Sequence, residues 1–135
     1  MPGHAGSRKI LIIDDEISVA DTLGLIFSTN RYEVRVAYSA EEAIETLAVW
    51  RPDLAIVDVM LPLMNGIDFA IVLKANYPQA RILLFSGQPD AKALLEQAWT
   101  KGHRFEILAK PLHPALMLDT VSNLLSPGRE RSADA

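Results

Sequence analysis

The chain has 135 residues, half of them hydrophobic and 22% charged, with a formal net charge of -4. That suits one globular domain with a sizeable core and excludes a disordered chain, while its scattered Lys and Arg residues leave no basic footprint for nucleic acid. The absence of cysteine excludes disulfides, thiolate metal sites and Cys nucleophiles. The apolar runs are too short to cross a membrane and Met1 to Ser7 lacks the apolar core of a secretion signal, so a soluble cytoplasmic protein is expected.

Residues 1–7 are small, polar and breaker-rich and read as a flexible tail. Lys9 to Ile13 is a continuous apolar run, a first strand, that stops at Asp14-Asp15-Glu16. One of these Asp residues would cap the next helix and Glu16 would favour its positive end, which leaves an acid unexplained. Adjacent carboxylates at a buried strand end repel each other, and a divalent cation is the usual remedy. From Ile17 to Ser28, Val19, Leu23, Ile26 and Phe27 recur at helical spacing. Tyr32 to Ala37 alternates Val34 and Val36 against Glu33 and Arg35, the pattern of an edge strand and the least buried one expected.

Ser39 and Glu42 have capping-box spacing and open a helix through about Trp50. Pro52 marks the exit. Leu54 to Val57 is rich in β-branched residues and reads as a strand buried on both faces, running into Asp58. Leu61-Pro62-Leu63-Met64-Asn65-Gly66 carries turn chemistry, and a helix from Ile67 to about Asn76 follows. Ala80 to Phe85 is a fourth strand ending at Ser86-Gly87. Pro89-Asp90 opens a helix through Trp99, with Gly102 placed to stop it. Phe105 to Ala109 is a fifth strand ending at Lys110-Pro111, Pro114 opens a last helix from Ala115 to Leu125, and 126–135 reads as a flexible tail. The domain is therefore placed at 8–125. Trp50 and Trp99 sit near helix ends, where partial burial is expected, and His103 and His113 read as exposed loop residues.

Strands alternating with helices of these lengths indicate an α/β fold, a parallel sheet with helices on both faces. All five strands then end on one edge, where open α/β sheets bind ligands. That edge collects Asp14, Asp15, Asp58, Ser86 and Lys110. Taken singly, Asp58 could be a cap, Ser86 a turn residue and Lys110 a solvated surface lysine. Together they suit Mg²⁺, which favours a few carboxylate oxygens plus water and a phosphate. With its repulsion offset, an Asp can attack a phosphoryl group while a Lys and a hydroxyl stabilise the transferred oxygens.

These residues resemble the receiver domains of two-component response regulators. The resemblance runs from about Arg8 to Leu125 and rests on Ile12-Ile13-Asp14-Asp15-Glu16, on Asp58 through Gly66, on Ser86-Gly87 and on Lys110-Pro111. It implies a flavodoxin-like doubly wound sheet in the order 2-1-3-4-5, the fold that chemotaxis-regulator-like receivers share. It further implies Asp58 as phosphoacceptor, with Mg²⁺ held by Asp14, Asp15, Asp58 and the Met60 backbone carbonyl. Ser86 would follow the phosphoryl group and Lys110 would be its counter-ion; a cis peptide before Pro111 is implied too. Met60 and Gln88 would flank the path of an attacking water. Two features depart from the family. Ile107 stands where it usually has a switching Tyr or Phe, with Phe105 two positions earlier, and the stretch from Gly102 to Lys110 is one residue longer, which calls for a longer turn or a bulge.

Three rivals share parts of this pattern. A haloacid-dehalogenase-type phosphatase would need an acid two residues after Asp58, where Met60 stands. A flavodoxin would be repelled from its nucleotide phosphate by Asp14-Asp15-Glu16. A receiver-like adaptor working independently of phosphorylation would keep the architecture and not the chemistry. The expectation is a single-domain, non-enzymatic receiver that is phosphorylated by a sensor histidine kinase or phosphotransfer protein and signals to a protein target. The fourth helix, fifth strand and fifth helix would form its output face, which could also make a homodimer.

Overall fold

The computed structural model of the chain describes residues 7–87 and 91–126. Five strands alternate with five helices: β1 (Lys9–Ile13), α1 (Ile17–Thr29), β2 (Glu33–Ala37), α2 (Ala40–Leu47), β3 (Leu54–Asp58), α3 (Gly66–Asn76), β4 (Arg81–Ser86), α4 (Ala91–Thr100), β5 (Glu106–Ala109) and α5 (Pro114–Leu125). The sheet has the order β2-β1-β3-β4-β5 and every neighbouring pair is parallel. This is the doubly wound, flavodoxin-like arrangement expected.

The period-two pattern of the strands divides the core into two layers. Leu11, Ile13, Ala55, Val57, Ile82 and Leu84 pack in one cluster with Ala43, Leu47, Phe69 and Leu73 of α2 and α3. Ile10, Ile12, Leu54, Ile56, Leu83 and Phe85 pack in the other with Leu23 and Phe27 of α1 and Met117 and Val121 of α5. Because both faces of β1, β3 and β4 are covered, these strands need apolar residues at every interior position, which is why they read as unbroken runs. Each such Ile, Leu or Phe contributes about 1.5–3 kcal/mol by its removal from water.

The helix ends follow local chemistry. Ser39 caps α2 by accepting a hydrogen bond from the Glu42 N–H at 3.1 Å, while the Glu42 carboxylate accepts from the Tyr38 N–H, one residue before the cap. Asn65 caps α3, accepting from the Ile67 N–H at 2.7 Å. After α4 the chain turns through Gly102 at φ +90°, a conformation that penalises any Cβ.

Several local expectations are corrected. The α2 helix stops at Leu47, short of Trp50. Trp50 is buried, not partly so, because its indole packs on the α2–α3 layer and its Nε1–H donates to Glu33 at 2.8 Å; Arg35 lies over the ring. β2 is an edge strand, but β5 is the less buried of the two edges, with no fully buried residue against one in β2. The extra residue before β5 is taken up by a longer turn through His103, Arg104 and Phe105, and the β4–β5 register runs without a bulge. His103 is half-buried there, stacked on Phe105, while His113 is exposed. The tails at 1–6 and 127–135 and the Pro89-Asp90 helix start lie outside the described residues.

Candidate functional site

Parallel pairing brings the strand ends to one edge, and main-chain hydrogen bonds hold them there. The Asp14 N–H donates to Ala37 O beyond β1, the Val59 N–H to Phe85 O beyond β3, and the Lys110 N–H to Ser86 O beyond β5. The site is thus an extension of the sheet's own ladder. It does not rely on flexible loops to bring its groups together.

Asp14, Asp58 and Ser86 are the buried polar residues among those described, each 5% exposed or less. Asp15 is exposed beside them. One carboxylate oxygen from each of Asp14, Asp15 and Asp58 lies within 4.8 Å of the others, a spacing suited to a shared cation. Lys110 reaches over from β5, with Nζ 3.1 Å from Asp14 Oδ2 and 3.7 Å from Asp58 Oδ2. Its ammonium also lies over the Phe85 ring, 5.4 Å from the centroid.

Burial pushes the Asp58 carboxyl up to about 7, and the Asp14 charge pushes the same way; the Met60 N–H, donating at 3.2 Å, and the Lys110 ammonium only partly oppose them. Burial pulls the Lys110 ammonium down, but the hydrogen bond to Glu16 and the nearby Asp14 and Asp58 carboxylates outweigh it, so its pKa is raised. Asp14 Oδ1 accepts from the Glu16 N–H at 2.9 Å. Asp14 Oδ2 is buried without a hydrogen-bond partner in acceptable geometry, having only the nearby ammonium charge. An orphaned carboxylate oxygen facing two further acids is a donor set that fits a hard divalent cation.

The loop after Asp58 folds tightly on itself. Leu63, at φ +68°, sits between Pro62 O and the Met64 N–H, which are joined at 2.7 Å in a three-residue turn. The Gly66 N–H then reaches back to Val59 O at 2.7 Å. A Cβ on Gly66 would stand 2.0 Å from the Asp58 carbonyl oxygen. Gly66 is therefore what lets α3 start against the Asp58 backbone. The sequence reads it as a turn residue only, and its part in the site was missed.

Glu16 was missed as well. It N-caps α1 without a side-chain capping bond, and its carboxylate accepts from Lys110 Nζ at 2.7 Å. The available signal was charge parity, since a single lysine at this edge faces more acids than it can neutralise. Of the other expected positions, Met60 is half exposed at 48% beside Asp58, and Gln88 lies outside the described residues. The Lys110–Pro111 peptide is cis, as the resemblance implies. Ile107 and Phe105 both pack at the edge of the α2–α3 layer.

The family model described as the response regulator receiver domain matches residues 10–122. The chain belongs to that family. This receiver is 36% identical over 69 residues to the DNA-binding response regulator MtrA of Mycolicibacterium paratuberculosis, a match covering 51% of this chain and 31% of MtrA. The receiver thus spans about a third of that curated relative's length. Among solved structures it is similar to a CheY-like receiver domain protein from Methanospirillum hungatei, with a TM-score of 0.82 and 23% identity over 94% of this chain and 99% of that one. It is also similar to the response regulator TrrA of Thermotoga maritima, with a TM-score of 0.75 and 24% identity over 87% and 98%. At these identities the two structures speak for the fold. No helix among the described residues of this receiver is long and apolar enough to cross a membrane.

Proposed function

We propose that this receiver accepts a phosphoryl group from a phosphohistidine, on a sensor histidine kinase or a phosphotransfer protein, onto the Asp58 carboxylate in a Mg²⁺-dependent reaction. The supporting observation is the Asp58 carboxylate itself, 4% exposed, with Asp14, Asp15 and Lys110 around it. An Asp58 oxygen attacks phosphorus, a P–O bond forms, and the P–N bond breaks with its electron pair returning to the imidazole. Lys110 neutralises charge on the transferred oxygens, and the Ser86 hydroxyl at the end of β4 donates to one of them.

Asp14, Asp15, Asp58 and the Met60 carbonyl would hold the ion, and Asp14 Oδ2 has no hydrogen-bond partner to give up. Mg²⁺, when bound, supplies the positive charge that lets these acids stand beside a phosphoryl group. The TrrA structure from Thermotoga was determined in complex with Mg²⁺–BeF, which is the same class of ligand. Autodephosphorylation follows from the same groups, with Met60, half exposed beside Asp58, flanking the water's approach.

Output goes through protein contacts, and the cytoplasm is the expected place of action. On the α4–β5–α5 face, Trp99 is 53% exposed beneath Arg104 and Leu116 is 48% exposed, apolar area that a target protein or a second copy would cover. The signal is a population shift between two forms.

The test is intact mass after incubation with Mg²⁺ and acetyl phosphate, beside Asp58→Asn. One added phosphoryl group, absent from the variant and from a metal-free control, is expected. No adduct, together with no response to beryllofluoride, would favour an adaptor that works without phosphorylation.

A further inference from the structure

Lys110 has more acids within reach than it can satisfy, and it does not favour the one it would serve in phosphotransfer. Its ammonium lies 2.7 Å from Glu16 Oε1, 3.1 Å from Asp14 Oδ2 and 3.7 Å from Asp58 Oδ2. The contact with Glu16 is a hydrogen bond across 94 residues of chain. Glu16 is held in place for this contact, because its own N–H donates to Asp14 and it stands at the N-cap of α1. Its side chain is also 60% exposed, so its carboxylate keeps much of its hydration while gripping the lysine.

Glu16 lies outside the group of carboxylates that could share a cation. A dication among Asp14, Asp15 and Asp58 and an ammonium 3.1 Å from Asp14 are like charges competing for the same oxygens. The lysine then needs another anion close by, and Glu16, already hydrogen-bonded to it at 2.7 Å, is in place to hold it alone.

We propose that Glu16 is a positioning residue that parks the Lys110 ammonium, drawing it from Asp58 in the resting protein and receiving it when a divalent cation occupies the acid cluster. Glu16 thereby raises the cation affinity of the site. It also sets how readily Lys110 turns back toward new negative charge on Asp58. The biological purpose of the parking rests on the phosphoacceptor reading; the parking itself is testable without it.

The test is a double-mutant cycle on the full chain, reading Mg²⁺ affinity from the amide resonances of Val59 and Met60. Glu16→Gln removes both the charge and the parking place. In Lys110→Met the parking has no subject, and only the through-space effect of the Glu16 charge remains. We expect Glu16→Gln to weaken Mg²⁺ about threefold more in the Lys110 protein than in the Met background, the size fitting an ion pair with one well-solvated partner.

Glu16→Asp separates the effects again. It keeps the charge but draws the carboxylate back, and parking predicts that it behaves like Glu16→Gln. Without metal, the Lys110 Nζ resonance should move in Glu16→Gln and Glu16→Asp alike. Equal Mg²⁺ losses in both backgrounds, with Glu16→Asp like the wild type, would overturn the proposal. Acetyl phosphate labelling of the wild type keeps the readings apart. Labelling with an additive cycle removes the parking and leaves the receiver chemistry, whereas no labelling with a non-additive cycle does the reverse.

Discussion

At the scale of single residues, the site is a set of acids that the sheet holds closer together than they would choose. Asp58 expresses this, with its carboxyl pushed up to about 7 by burial and by Asp14. A folded-state value above the unfolded one means that the folded protein binds more protons between about pH 4 and pH 7. In the absence of divalent metal, stability should therefore fall as pH rises through that window. Asp58→Asn, which keeps an oxygen for the Met60 N–H, should flatten the slope and raise stability at pH 7.5 by about 1 kcal/mol, a value discounted for the open, solvent-screened side of the site. Urea unfolding of both proteins at pH 5.0 and 7.5 without metal checks this, and parallel slopes would count against it. The residues behind this behaviour were legible as residue types at strand ends, since Asp14, Asp15, Asp58, Ser86 and Lys110 each close or follow an apolar run. The attachment of Lys110 to Glu16 was not legible, because a contact between residues so far apart depends on side-chain direction and leaves no mark on local pattern.

The elements were readable wherever one local rule decided them and unreadable wherever packing decided. Ser39 capping α2 and Gly102 ending the turn after α4 follow from side-chain chemistry and backbone freedom. Trp50 does not, because a tryptophan past a helix end is drawn into the core by the layer beneath it and by a carboxylate from β2. The burial of β2 and β5 was likewise a matter of coverage by helices, which alternation within a strand does not report. The loop leading into α3 gives the sharpest test at this scale. At Gly66 an added Cβ meets Asp58 and Val59 backbone, with its nearest approach at 2.0 Å, so neither side can yield cheaply. Gly66→Ala should cost at least about 2 kcal/mol by overpacking and, by displacing Asp58, lose most of its labelling by acetyl phosphate at 10 °C, where the variant is still folded. Gly102→Ala is the control, since its Cβ would meet nothing within 4 Å and only the positive φ is penalised. It should lose about 1 kcal/mol and label normally.

Across the whole molecule, the two apolar layers grip β1, β3 and β4 from both sides, so most of the site stands on the best-covered part of the sheet. Lys110 is different. It follows β5, a strand of four residues at the sheet edge that, among the described residues, pairs only with β4 and has no fully buried residue. A strand so thinly covered is expected to open to solvent on its own, at less free energy than global unfolding requires. Each opening would carry the Lys110 ammonium away and each closing return it, so whatever binds the ammonium would also fasten the strand. In hydrogen exchange, the amides of Glu106 to Ala109 should be replaced sooner than those of Leu54 to Asp58 in the free protein, and should slow on addition of Mg²⁺ and beryllofluoride together while the β3 amides barely change. Unaltered β5 rates would separate the strand from the site. If the rates respond, the fraying of one edge strand becomes a reporter of what occupies Asp58, legible from outside to any partner that recognises a closed edge and passes over an open one.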